Sequence, residues 1–317
     1  MTDVDGLKVA VIGAGYLGRF HAQKWAALPG CRLVGVADPV AATRAAVAAE
    51  LGVEAVADWR ELLGRVEAVS IATPTPLHHP IARACLEAGV HVLVEKPITT
   101  TVAEAEDLIR VAAAGRRVLQ VGHLERFNSA VRAIEGLVTR PRFIESARLA
   151  PFRQRGTDVS VVLDLMIHDI DLIQSIVRSA LVSMDAIGAR VFSDDLDIAN
   201  VRLKFESGCV ANVTASRVSL KTERKLRLFE DEAYLSLDLQ QKVLTVIRKG
   251  AAPAVGDLPQ VAIEERTYEQ GDALKAEIEA FADSIRTGRP PLVGGAEGLA
   301  ALETATRIAA LVRDGIR

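Results

Sequence analysis

The chain has 317 residues, half of them hydrophobic and a quarter charged, which is an ordinary globular composition of a length that suggests about two domains. A formal charge of −3 with no basic cluster argues against nucleic acid as a partner, and no run approaches the ~18 uncharged apolar residues of a membrane span. Cys31, Cys85 and Cys209 are odd in number and scattered, so no metal site is expected, and with acids in "MTDVDGLKVAVIG" where a secretory leader needs positive charge, the cytoplasm fits best.

In chain order, "LKVAVIG" (7–13) is a short β-branched apolar run of the kind buried on both faces of a sheet. "GAGYLGRFHAQKWAAL" has helical spacing, "CRLVGVAD" (31–38) is strand, and "PVAATRAAVAAELG" is an Ala-rich helix ended by Gly52. "AVSIAT" (68–73), "HVLVEKP" (91–97) and "RVLQVGH" (117–123) continue the strands, with helices over 76–89 and 101–114 between them. Strands alternating with helices of this length predict βαβ crossovers and a doubly wound parallel sheet.

The first strand-to-helix turn reads Gly13, Ala14, Gly15, Tyr16, Leu17, Gly18, a G-x-G-x-x-G motif. Gly13 permits a tight turn, Gly15 lets backbone approach a pyrophosphate, and Gly18 allows close helix–strand packing. Asp38 lies twenty residues past Gly18 at the end of the second strand, where a carboxylate accepts from ribose hydroxyls. This is the context of a Rossmann nucleotide site. A carboxylate there repels a 2′-phosphate, so NAD is expected, while nearby Arg44 leaves NADP open. Thr73 and Pro74 end one strand and Glu95, Lys96 and Pro97 the next, at the edge where open α/β sheets bind ligands. A solvated Glu95–Lys96 strand terminus is the plainer alternative.

After about residue 125 the pattern turns to alternating, antiparallel-type runs at 142–150, 182–192, 197–206, 209–218, 224–231, 233–239 and 242–249, with "GAAPAVGDLPQ" (250–260) as a loop between two strands and two terminal helices. Between the first two runs, "DLMIHDID" places Asp164, His168 and Asp171 in an otherwise apolar helical stretch. At 100° per residue they share one face, so they need partners, a wet cleft or both. Arg153 and Arg155, just upstream, either meet a pyrophosphate or decorate a solvated loop.

Taken in order, "VIGAGYLG", "TPTPLHHPIA", "EKPITT", "VGHLERFN" and "DLMIHDID" resemble the family of glucose–fructose oxidoreductase and inositol 2-dehydrogenase over nearly the whole chain. The resemblance implies an NAD(P)-binding Rossmann domain over 1–122 and an α+β domain over 123–317. The second domain carries an open, largely antiparallel sheet for substrate binding and oligomerisation. It implies that Lys96 and His168 flank the nicotinamide and the reacting carbinol, with Asp164 orienting the histidine, and that Lys96–Pro97 is cis. His78 and Glu95 join the cofactor-binding set and Arg126 the substrate-binding set. The open sheet face implies a homodimer or homotetramer. Met166 stands where the family usually has Gly, which argues against an inositol- or glucose-type pocket. The stretch "LAPFRQRGTDVSVVLDLMIHDIDLI" is similar to members that oxidise the 3-hydroxyl of UDP-N-acetylglucosamine, whose ketone an aminotransferase then takes toward lipid A. A dehydrogenase of a free sugar, sugar acid or inositol, and a non-catalytic NAD-binding sensor, are the alternatives.

Overall fold

The computed structural model describes residues 6–152, 159–250, 261–269 and 271–315; Arg153, Arg155 and the 251–260 loop lie outside the described residues. The chain forms two compact units, Met1–Leu124 with Leu274–Leu302, and Glu125–Ala273 with Glu303–Arg317.

In the first unit, β1 (Leu7–Ile12), α1 (Tyr16–Ala27), β2 (Cys31–Ala37), α2 (Ala41–Leu51), β3 (Glu54–Val56), β4 (Ala68–Ile71), α3 (His78–Glu87), β5 (His91–Glu95), α4 (Val102–Gly115) and β6 (Leu119–Gly122) alternate along the chain. The six strands pair in parallel in the order β3-β2-β1-β4-β5-β6. β4 is buried along its whole length, as the continuous apolar runs predict. Strand order reverses between β1 and β4, which opens a crevice beyond their carboxyl ends. β3 has only three residues, too few to show a period in the sequence.

A single cut after residue 122 would send the penultimate helix to the second unit. Instead Leu274, Ile278, Phe281 and Ala282 join Val9, Trp25 and Leu93 in one core, with Trp25 and Phe281 edge-on at 6.2 Å. Burial of that apolar stripe assigns the helix, which neither its period nor its place in the chain could do.

The second unit begins with a short helix, α5 (Ser129–Arg132), then β7 (Phe143–Leu149) and a π-helical turn, Val162–Met166, running into α6 (Ile167–Val177). Seven strands follow: β8 (Leu181–Ala189), β9 (Ile198–Phe205), β10 (Val210–Ser216), β11 (Glu223–Phe229), β12 (Ala233–Asp238), β13 (Val243–Lys249) and β14 (Val261–Thr267). With β7 they form one sheet, ordered β14-β13-β12-β11-β7-β10-β9-β8 and antiparallel except at β7–β10. Residues alternate strictly between the two faces; on β9, Ala199, Val201, Leu203 and Phe205 are buried while Asn200, Arg202 and Lys204 are exposed. β14 has no buried residue, so no alternation announces it. The last helices are α7 (Ala273–Thr287) and α8 (Gly295–Gly315). No helix among the described residues is long and apolar enough to cross a membrane.

Candidate active site

The turn from β1 into α1 is shaped by its glycines. Gly13 stands at φ +90°, and a Cβ there would lie 2.6 Å from the Ala72 carbonyl oxygen; one on Gly18 would fall 1.7 Å from the Gly13 oxygen. Around Gly15 nothing lies within 4 Å of a Cβ position, and no side chain caps α1 at that residue. The donors of the first helical turn, where exposed Tyr16 and half-buried Leu17 follow, are thus available to an anion.

Asp38 ties this turn to the next one. Its Oδ2 accepts from Ala14 N–H at 2.9 Å and its Oδ1 from Val40 N–H at 2.8 Å. Arg44 Nη1 donates to the carbonyl oxygens of Asp38 and Pro39, so the guanidinium is drawn to backbone rather than to the Asp38 carboxylate. Beside Asp38 opens a cleft of about 390 Å³, lined among others by Gly13, Trp59, Arg60, Thr73, Leu77 and Ile81. Trp59 and Arg60, stacked with 4.6 Å from guanidinium carbon to ring centre, stand on a short 3₁₀ turn after β3 that no sequence motif marks. An open glycine α-carbon, an uncapped helix start, an oriented carboxylate and a partly apolar cleft fit a dinucleotide with its adenosine end beside Asp38.

The ends of β4 and β5 are fastened together. His78 is buried, with Nδ1 2.9 Å from the Pro97 oxygen and Nε2 2.8 Å from the Thr73 oxygen, so it clamps two turns from within. Burial lowers its pKa, against the pull of the two carbonyls. Thr73 lines the cleft, and Pro74 is exposed beside it. The Lys96–Pro97 bond is cis and Lys96 is half-buried. Glu95 sits 2.9 Å from His21 Nε2 through its Oε1, so its carboxyl is engaged within the fold.

In the second unit the acids of "DLMIHDID" have partners that the sequence does not suggest. Arg148 on β7 grips Asp169 bidentately at 2.7 and 3.2 Å and also reaches Glu125 at 2.9 Å. Arg126 Nη1 donates to Asp171 at 3.2 Å. Glu125 is pushed up by burial, but Arg148 outweighs this and holds it below the ordinary range. The single polar face expected for Asp164, His168 and Asp171 is not what forms. The π turn containing Asp164 breaks the 100° step; Asp164 and His168 are half-buried, whereas Asp171 is buried against Arg126. Met166 is fully buried.

A doubly wound sheet with this glycine turn, followed by an α+β unit on an open sheet, defines a two-part dinucleotide-dependent oxidoreductase. Residues 7–123 match the oxidoreductase family with an NAD-binding Rossmann fold, and residues 129–236 match the GFO/IDH/MocA C-terminal domain. The chain belongs to this family and is an NAD-binding oxidoreductase. It is similar to UDP-N-acetylglucosamine 3-dehydrogenase of Acidithiobacillus ferrooxidans, with 39% identity over 95% of this chain and 96% of that one. The solved structure of that enzyme superposes with a TM-score of 0.93 over 98% of both chains. At 27% identity, over 98% of this chain and 95% of the relative, it is also similar to the scyllo-inositol 2-dehydrogenase (NAD(+)) of Bacillus subtilis.

Proposed function

We propose that the protein oxidises the 3-hydroxyl of UDP-N-acetylglucosamine with NAD, in the cytoplasm, giving a 3-ketone for an aminotransferase that serves lipid A synthesis. The observation that carries this reading is the likeness to the Acidithiobacillus enzyme at 39% identity across almost the full length of both chains. The nicotinamide, when bound, accepts the hydride. His168 takes the hydroxyl proton, a task suited to an imidazole, whose ring nitrogen can accept a proton and return it. Lys96 stabilises the developing alkoxide, and Asp164 orients His168. Gly13, Ala14, Gly15, Tyr16, Leu17, Gly18, Asp38, Thr73 and Pro74 hold the dinucleotide. His78 and Glu95 serve it by fixing the turns around it, as their bonds to Thr73, Pro97 and His21 support. Arg153 and Arg155 meet the substrate diphosphate. Arg126, bonded to Asp171, acts on substrate by holding the helix of His168. The open sheet face of the second unit covers itself with another copy, giving a homodimer or homotetramer.

The purified protein is tested with NAD and, separately, UDP-N-acetylglucosamine, free N-acetylglucosamine and myo-inositol. NADH formation is followed, and mass spectrometry detects loss of two hydrogens from the sugar. Turnover of the nucleotide sugar alone is the expected result. Turnover of a free sugar or inositol instead transfers the reading to a free-sugar dehydrogenase, which the inositol dehydrogenase relative supports. Turnover of none, with NAD bound, favours a sensor, a role that requires neither Lys96 nor His168.

A further inference from the structure

One acid of the first unit has no role in the chemistry above. Glu277 lies on α7, 0% exposed, where its backbone oxygen accepts from Gln120 Nε2 at 3.0 Å. Neither of its carboxyl oxygens has a hydrogen-bond partner among the described residues, and the same holds for buried Gln120 Oε1 and His21 Nδ1. His21 in turn meets Glu95 at 2.9 Å, and Glu95 is the charge that acts on Glu277. The charge that acts on this acid is therefore Glu95 from β5, itself paired with His21 from α1, while neutral Gln120 from β6 holds the Glu277 backbone. One turn away on its own helix stand Ala273, Leu274, Ala280 and Phe281.

An ionised carboxylate in such a place would be desolvated, with a second carboxylate for a neighbour, an arrangement costing several kcal/mol. A protonated one becomes a donor among acceptors that lack one. Burial, and then the negative charge of Glu95, push the Glu277 pKa well above its ordinary value. Room for the Glu95 carboxyl is itself built in. A Cβ on Gly122 would lie 2.9 to 3.0 Å from its atoms, so it rests on a bare glycine of β6.

We infer that Glu277 is a positioning residue that stays protonated in the folded protein and shares its proton with Glu95. That proton is offered to the Glu95–His21 pair behind the turn that carries Lys96. The role assigned to this group rests on Lys96 acting in the reaction; its protonation state does not. One proton thus lets two carboxyls share a dry site and fixes the residue that immediately precedes the lysine. The helix that supplies the acid comes from a remote part of the chain.

The test uses the full-length protein and its Glu277→Gln and Glu277→Leu variants. Stability is measured by denaturant unfolding from pH 4 to pH 9, alongside kcat and the KM for NAD with whichever sugar alcohol is turned over. Because the folded pKa is raised, the unfolded chain releases a proton that the folded chain keeps. Wild-type stability therefore falls as pH rises from about 4.5 toward the folded pKa. Glu277→Gln, whose amide still donates, should gain on wild type across that interval and keep kcat within about threefold. Glu277→Leu should lose roughly tenfold or more in kcat, with the KM for NAD little changed. A Glu277→Gln protein less stable than wild type at neutral pH, with the deficit shrinking as pH falls, would mean an ionised, partnered Glu277 and overturn the inference. Unchanged kcat in folded Glu277→Leu would remove the positioning role; if that variant does not fold, the Gln profile still decides protonation. Failure of the substrate assignment would appear as a wild type inactive on the nucleotide sugar, and would leave the stability profile untouched.

Discussion

Asp38 receives two backbone N–H groups, one from each of the turns that would enclose an adenosine ribose. The carboxylate is therefore aimed before any ligand arrives, and its charge opposes a 2′-phosphate at the same place. Replacing it by Ser should raise the KM for NAD and narrow the preference over NADP by roughly tenfold or more, read from kcat/KM for the two cofactors. An unchanged ratio would show that Asp38 does not set the choice. Lys96 and His168 belong to the same scale. Lys96→Ala and His168→Ala should each lower kcat about 10²–10⁴-fold while NAD still binds, as followed by fluorescence titration. Under the proposed mechanism, the double variant should fall far short of the product of the two losses.

At the scale of elements, α6 is fastened from both sides by buried ion pairs. Arg148 is almost wholly enclosed and binds two carboxylates from different elements. Truncating it strands buried Asp169 without a cation and leaves Glu125 only the partly exposed Arg224 at 3.6 Å, so Arg148→Ala should cost about 3–5 kcal/mol in urea unfolding. Removing a surface cation such as Arg83, paired with Glu87 one helical turn away, should cost well under 1 kcal/mol. Acid should act through the same network. Glu125 is held below its ordinary pKa of 4.5, so the stability it contributes is present above that pH and is lost as pH falls through the depressed value. Wild type should therefore lose stability below pH 4.5 more steeply than Glu125→Gln. Parallel curves for the two proteins would rule this out.

At the scale of the whole molecule, the second unit presents a broad polar sheet face. It carries Glu145, Asn200, Asn212, Lys225 and Arg227 around a depression of about 240 Å³. Arg227 reaches Glu145, and Asn200 donates to Thr214, so the face alternates donors and acceptors in a pattern that a second copy could complement. Light scattering should give an even multiple of 33.9 kDa, and placing like charges at Asn200 and Asn212 should halve the mass. A monomer at micromolar concentration would refute the expectation.

What the sequence determined alone was whatever chemistry is local. The tight turn at Gly13, the bare approach at Gly15 and the carboxylate twenty residues on depend on neighbours within one βαβ unit. So do the buried parallel strands, and all of these were legible. The alternating strands of the second sheet were legible for the same reason; the fully exposed β14 shows no alternation and is marked only by the loop before it, and in the first sheet the three-residue β3 leaves no period. Tertiary structure alone decided how the acids of "DLMIHDID" are satisfied, because Arg148 and Arg126 lie 21 and 45 residues away from the acids they bind. It also decided that α7 buries Glu277 against β6, where Gln120 holds its backbone, and that a π turn separates Asp164 from the regular helix of His168. A period predicts which face a side chain takes. Which charge waits on that face is set by packing between elements distant in the chain, where burial makes an unpaired charge too costly to leave alone.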